Sequence, residues 1–112
     1  MPKTAEGVVF ATFNDLCAKP LGPGDYLALA EHFHTVVMQG VPALRPENRN
    51  EAKRFVTMID AFYEARVKFI CSADAMPNEL YKKGEGSFEF ERTASRLIEM
   101  QTTAYMALPH KP

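Results

Sequence analysis

Several things are missing from this chain of 112 residues, and each absence narrows its function. No apolar run approaches the roughly 18 residues that span a bilayer, and Met1-Pro2-Lys3-Thr4-Ala5-Glu6 lacks the apolar core of a signal peptide. A cytoplasmic chain is expected. Net charge is almost absent too: 13 basic residues balance 14 acidic ones to leave −1. No global field therefore favours nucleic acid or anionic lipid. Two cysteines are too few for a disulfide framework. Cys17 falls in a short helical segment and Cys71 ends an apolar strand, where reduced, buried thiols are expected.

The motif inventory is equally bare. There is no G-x-x-x-x-G-K-[ST], so no loop can wrap its amides round a triphosphate, and no G-x-G-x-x-G opens a helix after a strand. A G-x-S-x-G elbow and a histidine pair at helical ligand spacing are also missing. His32 and His34 flank Phe33 at i, i+2, which points them apart on a helix. On these grounds no metal site is expected, and the chain alone carries no recognised nucleotide site.

What is present is periodicity. With 46% apolar content the chain is expected to form one α/β domain over residues 1–112, burying roughly two-thirds of its unfolded surface. Ala52, Phe55, Val56, Ile59, Phe62 and Tyr63 recur at the spacing that lines one face of a helix. Asn48 and Glu51 are placed to form a capping box at its start. Thr35-Val36-Val37-Met38 before the helix and Val67-Lys68-Phe69-Ile70-Cys71 after it read as strands. Strand, helix and strand at this spacing make a right-handed crossover. The fold class is α/β, a small partly parallel sheet with flanking helices.

The remaining segments follow coarsely. Residues 8–13 read as a strand, and Asn14 can cap a short helical turn stopped by Pro20 and Gly22-Pro23-Gly24. Tyr26, Leu29, Ala30 and Phe33 mark a helix ending near Phe33. A loop runs from Ala73 to Gly86, with one helical turn at residues 78–81. Ser87 can cap the last helix, with Glu89 and Glu91 in its first turn and Phe90, Ala94, Leu97 and Tyr105 towards the core. Residues 109–112 are expected to fray.

Candidate site residues come from two places. Ser72 and Asp74 lie just past the carboxyl end of a strand, where open α/β sheets hold ligands, although Ser and Asp also favour ordinary loop starts. Arg54 lies on the polar face of the long helix beside Lys53, while Arg92 and Arg96 share a face at i, i+4. Each is able to contact phosphate as an arginine finger does. Surface pairing with Glu89 and Glu99 is the plainer alternative for Arg92 and Arg96.

The wording of the chain also carries a resemblance. Phe13-Asn14-Asp15-Leu16-Cys17, Asp25-Tyr26-Leu27-Ala28-Leu29-Ala30, Asn50-Glu51-Ala52-Lys53-Arg54-Phe55, Ile59-Asp60-Ala61-Phe62-Tyr63-Glu64 and Phe88-Glu89-Phe90-Glu91-Arg92-Thr93-Ala94-Ser95-Arg96-Leu97 stand in that order. Together they resemble the C-terminal portion of the ZapE-like cell division ATPases, AAA-type P-loop proteins with mitochondrial relatives. The chain departs from the family at Gln39-Gly40, where relatives tend to carry acidic residues, and at Lys53, where arginine is usual.

The resemblance implies ATP and Mg as cofactors of a full-length protein whose phosphate loop lies upstream, with none bound by this chain alone. It also implies docking on that upstream core or a neighbouring subunit, homo-oligomer assembly, and contact with division-machinery proteins at the inner membrane. Arg54, Arg92 and Arg96 match family positions. A second reading stays open, a free-standing, non-catalytic interaction module.

Overall fold

In the computed structural model, which describes residues 3–84 and 86–110, segments of strand and helix period alternate along the chain. β1 (Lys3–Ala5) turns at Glu6-Gly7 and returns as β2 (Val8–Thr12), antiparallel to it; β3 (Thr35–Val41) and β4 (Lys68–Ala73) then add in parallel, giving the order β1-β2-β3-β4. α1 (Phe13–Cys17) and α2 (Pro23–His32) connect β2 to β3, and α3 (Arg49–Glu64) connects β3 to β4. α4 (Ser87–Glu99) and the short α5 (Thr103–Met106) follow. The α/β class and the crossover stand as read from the sequence; β1 was not foreseen, being only three residues long.

The strand order runs without reversal. Crossovers of one hand then place α2 and α3 on the same side of the sheet, where they pack on each other and α3 packs on α4. Val9, Ala11, Val36, Met38 and Phe69 point into that side and are buried. The alternate residues point the other way. Phe10, Val37 and Ile70 are paired in register across β2, β3 and β4, forming one apolar row; Phe10 is 44% and Ile70 52% exposed.

Burial of α3 explains the core. Ala52, Phe55, Ile59 and Phe62 are buried as the stripe requires, with Val56 and Tyr63 half-buried. Met58 is buried as well, because α2 lies against α3 and widens the stripe beyond the sheet-facing residues. The Phe55 ring lies within 6.4 Å, centroid to centroid, of Phe13, Phe69 and Phe90, and so joins α1, the sheet and α4. Tyr26 donates from its hydroxyl to the Leu16 carbonyl at 2.6 Å, tying α2 to α1 inside the core. Tyr105 donates to the Val67 carbonyl at 2.7 Å and fixes α5 beneath β4.

Helix starts differ from the sequence reading in three places. Thr12, not Asn14, caps α1: its hydroxyl accepts from the Asp15 amide, and the Asp15 carboxylate accepts from the Thr12 amide, each at 3.1 Å. That amide bond is the main reason the Asp15 carboxyl is held below its ordinary pKa. At α3 the capping box does not form, because Asn48 turns back to accept from the Arg45 amide and closes the 3-10 turn Pro46–Asn48. At α4 the cap is Gly86 rather than Ser87, in the left-handed region at φ 86°. The last helix also ends at Glu99, and Thr102 caps α5 as a separate turn by accepting from the Tyr105 amide.

The chain end is tied down. His110, in the stretch expected to fray, places its Nε2 2.6 Å from the Ala30 carbonyl in the last turn of α2. Residues 111 and 112 lie outside the described residues.

Candidate functional site: a basic groove between two helix starts

The arginines singled out by sequence separate into two kinds. Arg54 is half-buried and donates to the Cys17 carbonyl at 3.0 Å, so it satisfies the open end of α1. Arg96 pairs with Asp60 across the α3 and α4 contact, with its guanidinium 4.8 Å from the centre of the Tyr63 ring. Glu99, expected as a partner of Arg96, instead accepts from the Tyr63 hydroxyl at 2.7 Å, and this bond raises the Tyr63 pKa. Arg92 is different. It is exposed and lines a groove of about 440 Å³ together with Arg49 and Lys53.

The groove follows from local sequence. Arg49 and Lys53 are i, i+4 on α3 and line one wall. Glu89 and Arg92 are i, i+3 on α4 and line the other, while Phe90 between them turns inward as a buried residue. Ala52, Val56, Tyr81 and Phe90 give the floor an apolar lining. The loop before α4 is held close at Gly84, where a Cβ would fall 2.6 Å from the Tyr81 hydroxyl and 2.9 Å from the Pro46 Cα. At φ 123° that position also favours glycine.

Electrostatics favour an anion here. Among the described lining residues, Lys53 and Arg92 stand with Arg49 on the two walls, beside the Glu89 carboxylate. The groove also lies at the beginnings of two helices, with Arg49 and Asn50 from α3 and Gly86 from α4 in its lining. Helix N-termini carry partial positive charge; Asn48 and Gly86 make no side-chain cap bond at these two starts, and the Ser87 amide donates to the Gly84 carbonyl at 3.2 Å. Arg49 escaped the sequence reading and Lys53 was named there only beside Arg54 and as a departure from the family; their i, i+4 spacing was the available signal, but the groove needs α4 from elsewhere in the chain to complete it.

The strand-end residues take another arrangement. β3 breaks register between Met38 and Val41, with Gly40 at φ 77°, and the freed Gly40 amide donates to the Ser72 hydroxyl at 3.0 Å. Ser72 therefore closes a bulge between β3 and β4. Asp74 is exposed, and its amide donates to the Val41 carbonyl at 2.9 Å. These two residues lie at the sheet end and are not part of the groove lining.

The cysteines are both free. Cys17 is buried, and burial pushes its thiol up to about 12. Cys71 was expected to be buried and is exposed, as are the residues that follow it to the end of β4. Among the described residues no three His, Cys, Asp or Glu side chains converge as metal ligands, and no helix is long and apolar enough to cross a membrane.

The partly parallel sheet with flanking helices makes this an α/β protein, and comparison with known proteins gives the ATPase class and the family. The chain belongs to the AFG1-like ATPase family, whose model matches residues 1–109. It is 39% identical over 99 residues to the cell division protein ZapE of Escherichia coli K12, a match covering 88% of this chain and 26% of that protein. It is also 33% identical over 137 aligned positions to lactation elevated protein 1 homolog B of Danio rerio, covering 94% of this chain and 27% of that protein. The chain thus spans about a quarter of the length of these relatives. No solved structure matches it.

Proposed function

We propose that this chain acts as the C-terminal portion of a ZapE-like ATPase, with ATP and Mg bound by a core that precedes it in the complete protein. The observation that carries this reading is the open side of the sheet. Parallel sheets are normally covered on both faces, yet Phe10, Val37 and Ile70 form an apolar row with no described helix over it. On this reading the row packs against the ATPase core or a neighbouring subunit, and the helical side stays available for chemistry.

Of the three candidate arginines, Arg92 then faces phosphate. Arg54 and Arg96 already hold the Cys17 carbonyl and the Asp60 carboxylate, whereas Arg92 stands exposed beside Lys53. A guanidinium presented to a transferring phosphoryl group stabilises its charge by donating hydrogen bonds to its oxygens, with no covalent bond formed. Ser72 and Asp74 remain weaker contributors, at the sheet end where α/β folds hold ligands. Association with division-machinery proteins on the cytoplasmic face of the inner membrane, and assembly of several copies, complete the proposal by likeness to ZapE.

The test is a chimera in which residues 1–109 replace the corresponding region of the E. coli relative. The chimera is expected to hydrolyse ATP. Arg92→Ala should lower kcat at least about 100-fold, within the range below an arginine finger's full contribution, with a native thermal midpoint. An unchanged kcat would overturn the role of Arg92.

A further inference from the structure

We infer that the outer face of α4 is a two-fold interface on which a second copy of this chain docks antiparallel, the Phe88 ring of each copy entering a groove on the other. This interface gives the proposed assembly of several copies a surface and a symmetry, and rests on that part of the proposed function alone. The open sheet row takes no part in it, since α4 packs on α3, on the helical side of the sheet.

Phe88, Glu91, Ser95 and Ile98 follow at i, i+3, i+7 and i+10, so they form one stripe along α4. All of them are exposed, whereas Phe90, Thr93, Ala94 and Leu97 take the core-facing side. Phe88 is 80% exposed and Ile98 52%, and Met76, 69% exposed, stands at the start of the short turn Pro77–Glu79 that packs on α4. Burying such side chains is where an association gains most. Beside the stripe lies a groove of about 280 Å³, lined by Pro77 and Asn78 from the turn and by Ala94, Ser95 and Ile98 from the second half of α4. The groove has room for one phenyl ring, and Phe88 lies outside its lining, about 15 Å along the helix axis from Ile98. One helix thus carries an apolar knob near its start and a hole near its end.

The spacing makes this face self-complementary. Two antiparallel copies of α4, related by a two-fold axis level with Thr93, bring position 88 opposite 98 and position 91 opposite 95. Each Phe88 then meets the Ile98 and the groove of the second copy. Each Glu91 carboxylate meets a Ser95 hydroxyl, with the Asn78 amide in the same groove as a further donor, which is what a carboxylate leaving water requires. A membrane surface fits less well, because Glu89, Glu91 and Glu99 stand on the exposed side of α4 where anionic lipid calls for Lys or Arg. With α4 13 residues long, the pair buries on the order of 1,000 Å² in total, at the lower end of specific interfaces. A reversible dimer with Kd on the order of 10–100 μM follows.

The experiment is sedimentation velocity on the 112-residue chain over roughly 5–500 μM, a range that brackets that Kd. The sedimenting species is expected to move from 12.6 kDa to twice that mass. Phe88→Ser and Ile98→Ser should each raise Kd about tenfold or more, while Leu27→Ser, as exposed as Ile98 but on α2, should leave it unchanged. All of these residues are exposed, so the variants should keep the native circular dichroism and thermal midpoint. Cross-linking reads the orientation. With Cys71→Ser throughout, chains carrying Phe88→Cys mixed with chains carrying Ile98→Cys should oxidise in air to a mixed disulfide dimer in preference to either like pair.

A monomer at every concentration would overturn the interface and leave the α4 face to a different protein; the ATPase reading, tested by the chimera, would stand. A dimer weakened by Phe10→Ser and not by Phe88→Ser would place assembly on the open sheet row, so that assembly of several copies stands and the α4 interface falls. Like pairs that cross-link as readily as the mixed pair would refute the antiparallel two-fold arrangement.

Discussion

Arg96 and Arg92 lie one helical turn apart on α4, and their replacement should have opposite consequences. Arg96 joins α4 to α3 through Asp60, with side-chain exposures of 23% and 36%, and places its guanidinium 4.8 Å from the Tyr63 ring centre. A pair this open to water is strongly screened, so its contribution belongs near the surface range rather than the buried one. Adding the ring contact, Arg96→Ala should cost about 1–2 kcal/mol. For a domain near this size each kcal/mol moves the midpoint by roughly 4–8 °C, so Tm should fall by about 5–10 °C.

The assay is urea unfolding followed by circular dichroism, on Arg96→Ala, Asp60→Ala and the double variant. The cycle isolates the pair, with an expected coupling of about 0.5–1 kcal/mol. Arg92→Ala in the same assay should stay within about 0.5 kcal/mol of the parent, as an exposed residue away from the core does. A coupling of zero, or a loss at Arg92 as large as that at Arg96, would refute the division of these arginines into structural and ligand-facing.

Ile59→Asp should unfold the domain, since Ile59 is fully buried on α3 and a carboxylate there would meet no partner; a native-like cooperative transition by differential scanning calorimetry would contradict the packing. In thiol labelling at pH 8, Cys71 should react in the native state and Cys17 only after denaturation, because burial holds Cys17 closed and pushes its pKa up to about 12. Mass spectrometry of the labelled peptides reads the outcome, and native labelling at Cys17 would count against its place in the core.

Alkaline pH should destabilise the fold. Cys17 is raised from 9.0 to about 12 and Tyr105 from 10.0 to about 12, both chiefly by desolvation. Each group's contribution is complete below its unfolded pKa and is lost as pH rises through its folded one, because the unfolded chain releases the proton first. Urea midpoints should hold steady to about pH 9 and fall towards pH 12. Tyr105→Phe should flatten that fall; an identical pH profile for the variant would remove Tyr105 from the explanation.

Long-period signals were legible in the sequence, and contacts between distant residues were not. The stripe on α3 and the two strands beside it could be read because a single helix face and two apolar runs each announce themselves within a few residues. Met58 could not, since its burial depends on α2 arriving at a second side of α3. Cap identities failed for a related reason: Thr12 and Asn14 are both able to cap, and only the end of β2 decides that Thr12 does.

The candidate site was legible by residue type but not by role. Arg54, Arg92 and Arg96 were visible as cations on helices, yet the partners that occupy two of them lie 36 and 37 residues away. Ser72 looked like a ligand residue at a strand end because nothing local foretold the bulge at Gly40 that its hydroxyl closes. Arg49 and Lys53 acquired meaning only when α4 supplied the opposite wall.

The most direct test of the central claim is the size of the native gene product, by immunoblot of cell lysate with an antibody against α4. If this sequence works as the C-terminal portion of an ATPase, the band should run at several times 12.6 kDa, in keeping with relatives of which it covers about a quarter. A single band at 12.6 kDa would contradict that claim and make a free-standing interaction module, with its open sheet face as the contact surface, the better account.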